Sequence, residues 1–519
     1  MIRPLLAACA LSLIGSQPLL AQERREETPT LRIEPPTSEL PVPWFPAERP
    51  EEADLLANLV AISTHEGGAD GVNAIVTLNP DVQRDIRAAL DRRLPLAGRT
   101  VLVKDNIETR ELPTTAGSLA LAGNGTGRDA PLIARLRQAG GAVLGKTNLS
   151  EWANIRDTNS TSGWSALGGL TRNPHAVDRN ACGSSSGSGA AVAAGFAWAA
   201  LGTETNGSIT CPASVNGVVG FKPTVGLVSR THIVPISGTQ DTAGPMARTV
   251  RDAAMLLTAI SGHDPADPAT AEADRHRTDF AAALEGASLK GMRIGVLTRQ
   301  VGSDARVAAL LEQAKADMVA AGAVLVPVDY DWPDGFWSRA LAVLLFELRR
   351  DMDAYLASLP DPAMPDTLAD LVAFNAANAA AELRWFGQDL FERALTARDE
   401  AAYRAALETN LRATREEGID RLLAEHEVAV LIAPTTGPAW PIDLVLGDHF
   451  PRGIGAGALA AIAGYPHLTV PMGAVERLPV GLSFIGGRWQ DAAILRAGAA
   501  FEQIRSAPVP SPSFRRWEP

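Results

Sequence analysis

Histidine and cysteine, which build most protein metal sites and disulfide scaffolds, are scarce in this chain of 519 residues. The eight histidines are scattered and form no His-x-x-x-His pair, so nothing in the sequence supports metal catalysis. Three cysteines are too few for a disulfide framework. Long runs of Lys or Arg are also absent and the formal net charge is −12, which argues against a nucleic-acid partner. We therefore expect no metal, no cofactor and no nucleic acid.

The chain has one pronounced apolar run, and it lies at the N-terminus. Arg3 precedes the mostly apolar residues 5–20, and Leu19-Leu20-Ala21 is a suitable cleavage site. This pattern is typical of a secretory signal peptide. An uncleaved membrane anchor is the alternative, although the run is short for a span. We expect a signal peptide over residues 1–21, export to a bacterial periplasm or the medium, and no stable membrane association after cleavage.

The rest of the chain has the composition of a globular protein, with 46% hydrophobic and 20% charged residues. Residues 22–50 are rich in proline and predict an extended arm. Beyond them, continuously apolar segments alternate with helical patterns, which is typical of a buried sheet with helices on both faces. Strands are predicted at 73–78, 100–104, 142–145, 292–297, 322–328, 429–434, 464–471 and 478–486, and helices at 82–94, 130–138, 190–200, 248–260 and over most of 336–423.

Two glycine-rich clusters of serines, residues 182–189 and 202–208, follow one another with no histidine between them. Glycine permits positive φ and close backbone approach, so such turns can present bare N–H groups to an anion. The pattern Gly183-x-Ser185-x-Gly187 matches a nucleophile elbow, but an elbow follows a hydrophobic strand, whereas residues 173–180 have the composition of a loop. A different base is therefore needed for any serine nucleophile here.

Lys104 is the best candidate for that base. It ends the apolar run of residues 100–103, and ligand sites in such sheets lie beyond the carboxyl ends of the strands. Another lysine, Lys146, belongs to a match to the phosphate-loop spacing, Gly140-x-x-x-x-Gly145-Lys146-Thr147. The four central residues of that match predict the strand itself, so we reject nucleotide binding.

In these segments the chain resembles the amidase signature family, and within it the bacterial peptide amidases. The resemblance extends over about residues 73–260 and returns near 464–486, and four segments carry it: 145–154, 182–187, 202–208 and 240–246. It implies a single large α/β/α domain over residues 51–519 around a mixed, mostly parallel twisted sheet. The expected parts are a core at about 73–260, a more variable substrate-shaping part at about 266–440, and a C-terminal return to the sheet at about 429–519.

The resemblance also implies catalytic roles. Ser208 matches the acylated nucleophile, Ser184 the bridging serine that follows a cis peptide bond, and Lys104 the base. The backbone N–H groups of Thr205, Asn206, Gly207 and Ser208 are expected to bind the oxyanion. Asn206 stands where peptide amidases often have Asp; its N–H is retained while a charge is lost. Further residues expected to contact the substrate are Asn159, Ser160, Gly183 and Ser185.

The predicted function is hydrolysis of a carboxamide through an acyl-enzyme, with C-terminal peptide amides as substrates and ammonia as a product. Alternatives are an aryl acylamidase or a fatty-acid amide hydrolase of the same family, and a non-catalytic periplasmic binding protein on an amidase scaffold. Candidates for an aromatic pocket wall are Trp332, Phe336, Trp337, Trp385 and Trp440, although core packing is the commoner role. An oxidising compartment permits a bridge between Cys182 and Cys211, but we expect two buried thiols.

Overall fold

A computed structural model describes residues 52–451 and 453–518 of the chain. The predicted signal peptide, 1–21, and the proline-rich arm, 22–50, lie outside the described residues. Within the described ranges, every helix is too short or too polar to cross a lipid bilayer.

The strands of the described residues form one large sheet and two small hairpins. They are β1 Ile75–Leu78, β2 Thr100–Lys104, β3 Ala142–Thr147, β4 Trp164–Ser165, β5 Gly169–Leu170, β6 Arg172–Asn173, β7 Ala176–Asn180, β8 Ala199–Glu204, β9 Val219–Lys222, β10 Thr242–Ala247, β11 Arg293–Leu297, β12 Val324–Val328, β13 Val430–Pro434, β14 His467–Val475 and β15 Leu478–Ile485.

The large sheet has 11 strands in the order β1-β3-β2-β8-β10-β9-β14-β15-β13-β11-β12. Strands β3, β2 and β8 run parallel to one another, as do β13, β11 and β12. The expected mixed sheet is therefore confirmed. The expectation that most strand pairs are parallel is wrong, because six of the ten neighbouring pairs are antiparallel.

Helices cover both faces of this sheet. They are α1 Glu52–His65, α2 Val82–Asp91, α3 Pro131–Gln138, α4 Ser186–Ala193, α5 Thr210–Val215, α6 Val250–Ile260, α7 Ala273–His276, α8 Ala305–Ala320, α9 Phe336–Leu356, α10 Leu368–Ala377, α11 Ala379–Glu382, α12 Asp389–Thr396, α13 Glu400–Thr414, α14 Asp420–Glu425, α15 Gly457–Ala463 and α16 Asp491–Ile504.

The side chains of β2 show why the strand reads as a continuous apolar run. Val101 and Val103 belong to the core cluster that includes residues of α3, α6 and α16, whereas Leu102 belongs to the cluster that includes residues of α1, α2 and α4. Successive side chains of a strand point to opposite faces. Because both faces are covered by helices, every position in β2 is buried, and this confirms the predicted arrangement of layers.

Two local predictions are wrong. The helix expected over 190–200 ends at Ala193, because Gly195 adopts a left-handed conformation with φ +77° and Ala199 and Ala200 pair with β2 instead. The loop expected over 173–180 contains the strand β7, which pairs with β6 in a small hairpin. Residues 142–147 of the phosphate-loop match form β3, as the rejection of that match requires.

Candidate active site

Lys104 lies at the carboxyl end of β2, where the apolar run predicts it, and its side chain is completely buried. Its Nζ lies 2.7 Å from Ser184 Oγ. It also contacts Thr203 of the neighbouring strand β8, at 2.8 Å from Oγ1 and 3.2 Å from the carbonyl oxygen. Three oxygen atoms therefore surround the amine, and one of them is a serine hydroxyl predicted to relay a proton.

Burial controls the charge of this lysine. Loss of hydration lowers the pKa of Lys104 from 10.5 to about 7, because the buried site disfavours the ammonium form. The negative charges of Asp241 and Glu204 oppose this shift. Near pH 7 a substantial fraction of Lys104 is therefore a neutral amine that can accept a proton.

Ser184 is held in a tight loop before α4. The peptide bond between Gly183 and Ser184 is cis. A methyl group added to Gly183 would overlap the hydroxyl of Ser150, so only glycine fits there. The N–H of Ser150 in turn donates to the carbonyl oxygen of Ser184 at 3.0 Å. The loop is thus fixed from both sides of the cis bond.

The second serine cluster forms the turn between β8 and α5. Gly207 has φ +83°, in the left-handed region that glycine adopts readily. Its carbonyl oxygen accepts from the N–H of Cys211 at 2.8 Å. The carboxylate of Glu204 accepts from the N–H groups of Ile209 and Thr210 at 2.8 and 2.9 Å. These bonds fix the turn in front of α5, where Ser208 stands.

The four N–H groups predicted to bind the oxyanion are unoccupied. Those of Thr205, Asn206, Gly207 and Ser208 donate to no acceptor among the described residues. Two side-chain hydrogen bonds at Thr205 hold the turn in place. The Thr205 hydroxyl donates to Asp241 at 2.5 Å, and the Gln240 side chain donates to the Thr205 carbonyl oxygen at 3.2 Å. Consecutive free N–H groups held in a rigid turn suit a developing oxyanion.

The two serine loops are joined to each other. The N–H of Ser185 donates to the carbonyl oxygen of Ser208 at 3.1 Å. Among the hydrogen bonds of the described residues, none joins the Ser184 and Ser208 hydroxyls. Lys104 is linked directly to the first serine only.

A disulfide also joins these loops, and it corrects the expectation of two thiols. Cys182 and Cys211 are bridged, with their Cα atoms 6.0 Å apart. Cys182 immediately precedes the cis bond, and Cys211 lies in α5, just after Ser208. The bridge therefore connects the segment that carries Ser184 to the helix that follows Ser208.

A cavity of about 200 Å³ opens in front of Ser208. Its wall contains the disulfide, the turn of residues 205–208 and Gly183, together with Asn154 and the apolar side chains of Ile155, Ile236, Leu344 and Phe450. None of its lining residues carries a charge. The cavity therefore suits an uncharged group beside the Ser208 hydroxyl.

The residues expected to contact substrate have different positions. Gly183 lines the cavity. The hydroxyl of Ser185 points away and donates to the carbonyl oxygen of Thr203 at 3.1 Å, which is a structural role. Ser160 does not line the cavity, but its hydroxyl donates to Oδ1 of Asn154, which does, at 3.0 Å. Asn159 is exposed and does not line the cavity.

The candidate aromatic wall is also mostly absent. None of its five members lines the cavity. The ring of Trp440 contacts that of Phe450, which does line it, in a tilted arrangement with the ring centroids 4.6 Å apart. Sequence reasoning missed Asn154, Leu344 and Phe450, which come from three separate segments. Asn154 ends a run of three consecutive residues with positive φ, a conformation that only asparagine among them adopts with relative ease. The run ends the segment 145–154 that carries the family resemblance, but that resemblance does not indicate its contact with the cavity.

The family model described as Amidase matches residues 61–495. The chain belongs to the amidase signature family. A probable amidase from Arabidopsis thaliana is 36% identical to this amidase over 463 residues, which cover 84% of each chain. The resemblance in sequence is thereby confirmed, and this amidase is an enzyme that hydrolyses amide C–N bonds, not a binding protein.

Solved structures place this amidase near peptide amidases. The peptide amidase from Stenotrophomonas maltophilia superposes with a TM-score of 0.85 at 45% identity, covering 89% of this chain and 95% of that chain. A bacterial aryl acylamidase of the same family superposes with a TM-score of 0.70 at 26% identity, covering 88% and 93%. The fold of the amidase signature enzymes is therefore shared over nearly the whole described chain.

Proposed function

We propose that this amidase deamidates C-terminal peptide amides through an acyl-enzyme on Ser208, with Ser184 and Lys104 as the proton relay. The observation that carries the proposal is the 2.7 Å contact between Ser184 Oγ and a buried lysine whose pKa is lowered to about 7. A serine becomes a nucleophile when an adjacent base takes its proton. No histidine is required in this scheme.

The hydrogen bonds of Lys104 suit the role of a base. A neutral amine has two hydrogens and one lone pair. The two oxygens of Thr203 accept the hydrogens, which leaves the lone pair facing the hydroxyl of Ser184. In the proposed first step Ser184 gives its proton to Nζ and takes the proton of Ser208. The Ser208 oxygen then bonds to the carbonyl carbon, and this requires the two serine hydroxyls to close to hydrogen-bond distance.

The remaining steps use the same atoms in reverse order. The carbonyl oxygen gains negative charge and is stabilised by the free N–H groups of Asn206, Gly207 and Ser208; losing one such donor costs about 3 kcal/mol of transition-state stabilisation. The proton on Lys104 returns through Ser184 to the nitrogen of the amide as the C–N bond breaks, which releases ammonia. Water then gives a proton to the relay and bonds to the ester carbon. As the bond from that carbon to Ser208 Oγ breaks, the relay returns the proton to Ser208 and the free acid leaves.

Two observations are consistent with an uncharged peptide amide as the substrate. The cavity at Ser208 has apolar walls and no charged lining residue, so it suits an uncharged carboxamide better than a free carboxylate. The high identity to the Stenotrophomonas maltophilia peptide amidase extends over 95% of that chain. The aryl acylamidase is less similar, at 26% identity.

A substrate panel tests the proposal. We expect ammonia release from an amidated dipeptide and no cleavage of the internal bond of its free-acid form, with slower turnover of aryl and fatty amides. Ser208→Ala should abolish turnover, and Lys104→Ala should lower kcat by several orders of magnitude. Ser188→Ala is the matched control, because this buried serine of the same cluster bonds to Thr147 and Leu201 and makes no hydrogen bond to Lys104. Normal kcat in Ser208→Ala would refute the assignment.

We also propose that the chain is exported after cleavage behind Ala21. The disulfide between Cys182 and Cys211 supports this, because disulfides persist in oxidising compartments. Expression of the full chain followed by N-terminal sequencing of the periplasmic fraction is expected to give Gln22 as the first residue. Retention of residues 1–21 on protein confined to the cytoplasm would contradict the proposal.

A further inference from the structure

A second cavity, larger than the one at Ser208, lies beside it. Its volume is about 350 Å³. The two cavities share three wall residues, Ala153, Thr205 and Ile236. A ligand that is anchored at Ser208 and extends past these residues therefore enters the second cavity, which the proposed chemistry does not use.

The second cavity is acidic, whereas the first carries no charge. Its lining includes Asp241, Asp267 and Asp351, with Arg230 as the single basic residue. Arg230 is already committed, because its guanidinium donates to Asp267 at 2.6 and 2.9 Å and to the carbonyl oxygen of Gly238. It therefore neutralises Asp267 and is not available to bind an anion. We call this space the acidic cavity.

Asp351 and Asp241 differ in their partners. Asp351 forms an ion pair with Arg350 at 2.7 Å. Asp241 forms no ion pair with another described residue; its carboxylate accepts from the N–H groups of Ile236 and Ser237 and from the Thr205 hydroxyl. Asp241 is thus a carboxylate of the cavity wall without a direct ion pair; burial raises its pKa to about 6, and the charge of Arg230 opposes that rise.

The same wall also contains a hydrogen-bond acceptor that has no donor. Asn106 is 2% exposed and lines the acidic cavity. Its Nδ2 donates to Thr203 Oγ1 at 3.0 Å, which fixes the orientation of the amide. Its Oδ1 has no hydrogen-bond partner among the described residues. A buried carbonyl oxygen without a donor is unfavourable, and a ligand that donates a hydrogen bond to it would remove this cost.

We propose that the acidic cavity binds the cationic group of a peptide amide whose C-terminal carboxamide lies at Ser208. The inference rests on the proposed function and adds a substrate class to it. Two parts of a peptide amide can supply the cation: the α-ammonium group of an amidated dipeptide, or the side chain of a C-terminal Lys or Arg. Both lie roughly 6–7 Å from the scissile carbon in an extended chain, about two residue lengths.

Two pairs of substrates separate these sources. The first pair is glycyl-phenylalaninamide and propionyl-phenylalaninamide, in which a methyl group replaces the ammonium group. The second pair is acetyl-lysinamide and acetyl-norleucinamide, which differ by the side-chain ammonium group. We expect kcat/KM for the cationic member to exceed that for the neutral member by about tenfold in the pair whose cation reaches the acidic cavity, and to be nearly equal in the other pair.

A charge placed at the rim tests where the cation lies. Ala354 lines the acidic cavity from the last turns of α9 and is exposed. Ala354→Lys should lower the cationic-to-neutral ratio by about three- to tenfold, and Ala354→Glu should raise it, as expected for charges several ångströms apart. Ala342→Lys is the matched control, since Ala342 is exposed on the same helix but lines neither cavity. It should leave the ratio unchanged.

The outcomes separate this inference from the proposed function. If none of the four amides is hydrolysed, the proposed function fails and the inference fails with it. If the amides are hydrolysed but the ratio is near one in both pairs, or does not respond to the charge at position 354, only the inference is overturned. A preference that changes equally in Ala342→Lys also overturns it, because the effect is then not local.

Discussion

Replacing Lys104 by methionine should change stability in a way that depends on pH. Methionine is an apolar side chain of similar length. The pKa of Lys104 is about 7 in the folded chain, against 10.5 for an ordinary lysine. Between these two values the unfolded chain binds more protons than the folded one, so this group makes the free energy of unfolding rise with pH. The methionine variant lacks that dependence.

The size of the effect follows from the shift. One pKa unit corresponds to about 1.4 kcal/mol, so the buried lysine costs about 5 kcal/mol of stability at pH 7 and about 2 kcal/mol at pH 9. Below pH 7 the cost is constant, and above pH 10.5 it vanishes. The three contacts of Nζ with Ser184 and Thr203 offset it by about 1 kcal/mol each at every pH. Lys104→Met should therefore be more stable than the natural protein at pH 7 by about 2 kcal/mol, and slightly less stable at pH 9.

Urea unfolding followed by circular dichroism at pH 7, 8 and 9 measures this difference. Other buried groups, such as Lys222, titrate in both proteins and cancel. Lys290→Met serves as the control, because Lys290 is exposed and its removal should give a difference that does not vary with pH. A stability difference between Lys104→Met and the natural protein that stays constant from pH 7 to 9 would refute the claim that the lysine is buried with a depressed pKa.

Three further predictions concern the same site. The kcat/KM value for a peptide amide should rise with pH through about 7, as Lys104 loses its proton. Asp241→Asn should move this rise to lower pH, because the charge of Asp241 raises the pKa of the lysine. A rise at an unchanged pH would contradict this coupling. Gly183→Ala should lower activity and the melting temperature together, because the new methyl group overlaps a buried serine hydroxyl. Reduction of the disulfide between Cys182 and Cys211, 29 residues apart, should cost about 3–4 kcal/mol in urea unfolding, and equal midpoints with and without reductant would argue against the bridge.

Local apolar patterns are enough to predict the strand and the helix layers that position Lys104. The buried run ending at Lys104 predicts a strand between two layers of helices, and β2 fits this because Val101, Leu102 and Val103 alternate between two cores. The same reasoning fails for residues 190–200, because a run of alanines is compatible with either a helix or a buried strand. Gly195 decides the boundary there, and pairing with β2 is a contact distant in sequence.

The cavity walls were the least predictable part. Asn154, Leu344 and Phe450 meet in space from segments separated by about one hundred residues or more, and only Asn154 lies in a segment that carries the family resemblance. The disulfide was missed for a similar reason. Whether two cysteines pair depends on the distance between them in the fold, here 6.0 Å between Cα atoms, which spacing along the chain does not reveal.

Locating the acylated residue is the sharpest test of Ser208 as the nucleophile. The protein is treated with a slowly hydrolysed peptide amide or an acylating serine-hydrolase inhibitor, and the modified residue is located by peptide mapping and mass spectrometry. We expect one acyl group on Ser208, absent in Ser208→Ala and formed much more slowly in Lys104→Met. An acyl group on Ser184 or Ser185, or acylation at an unchanged rate without the lysine, would contradict it.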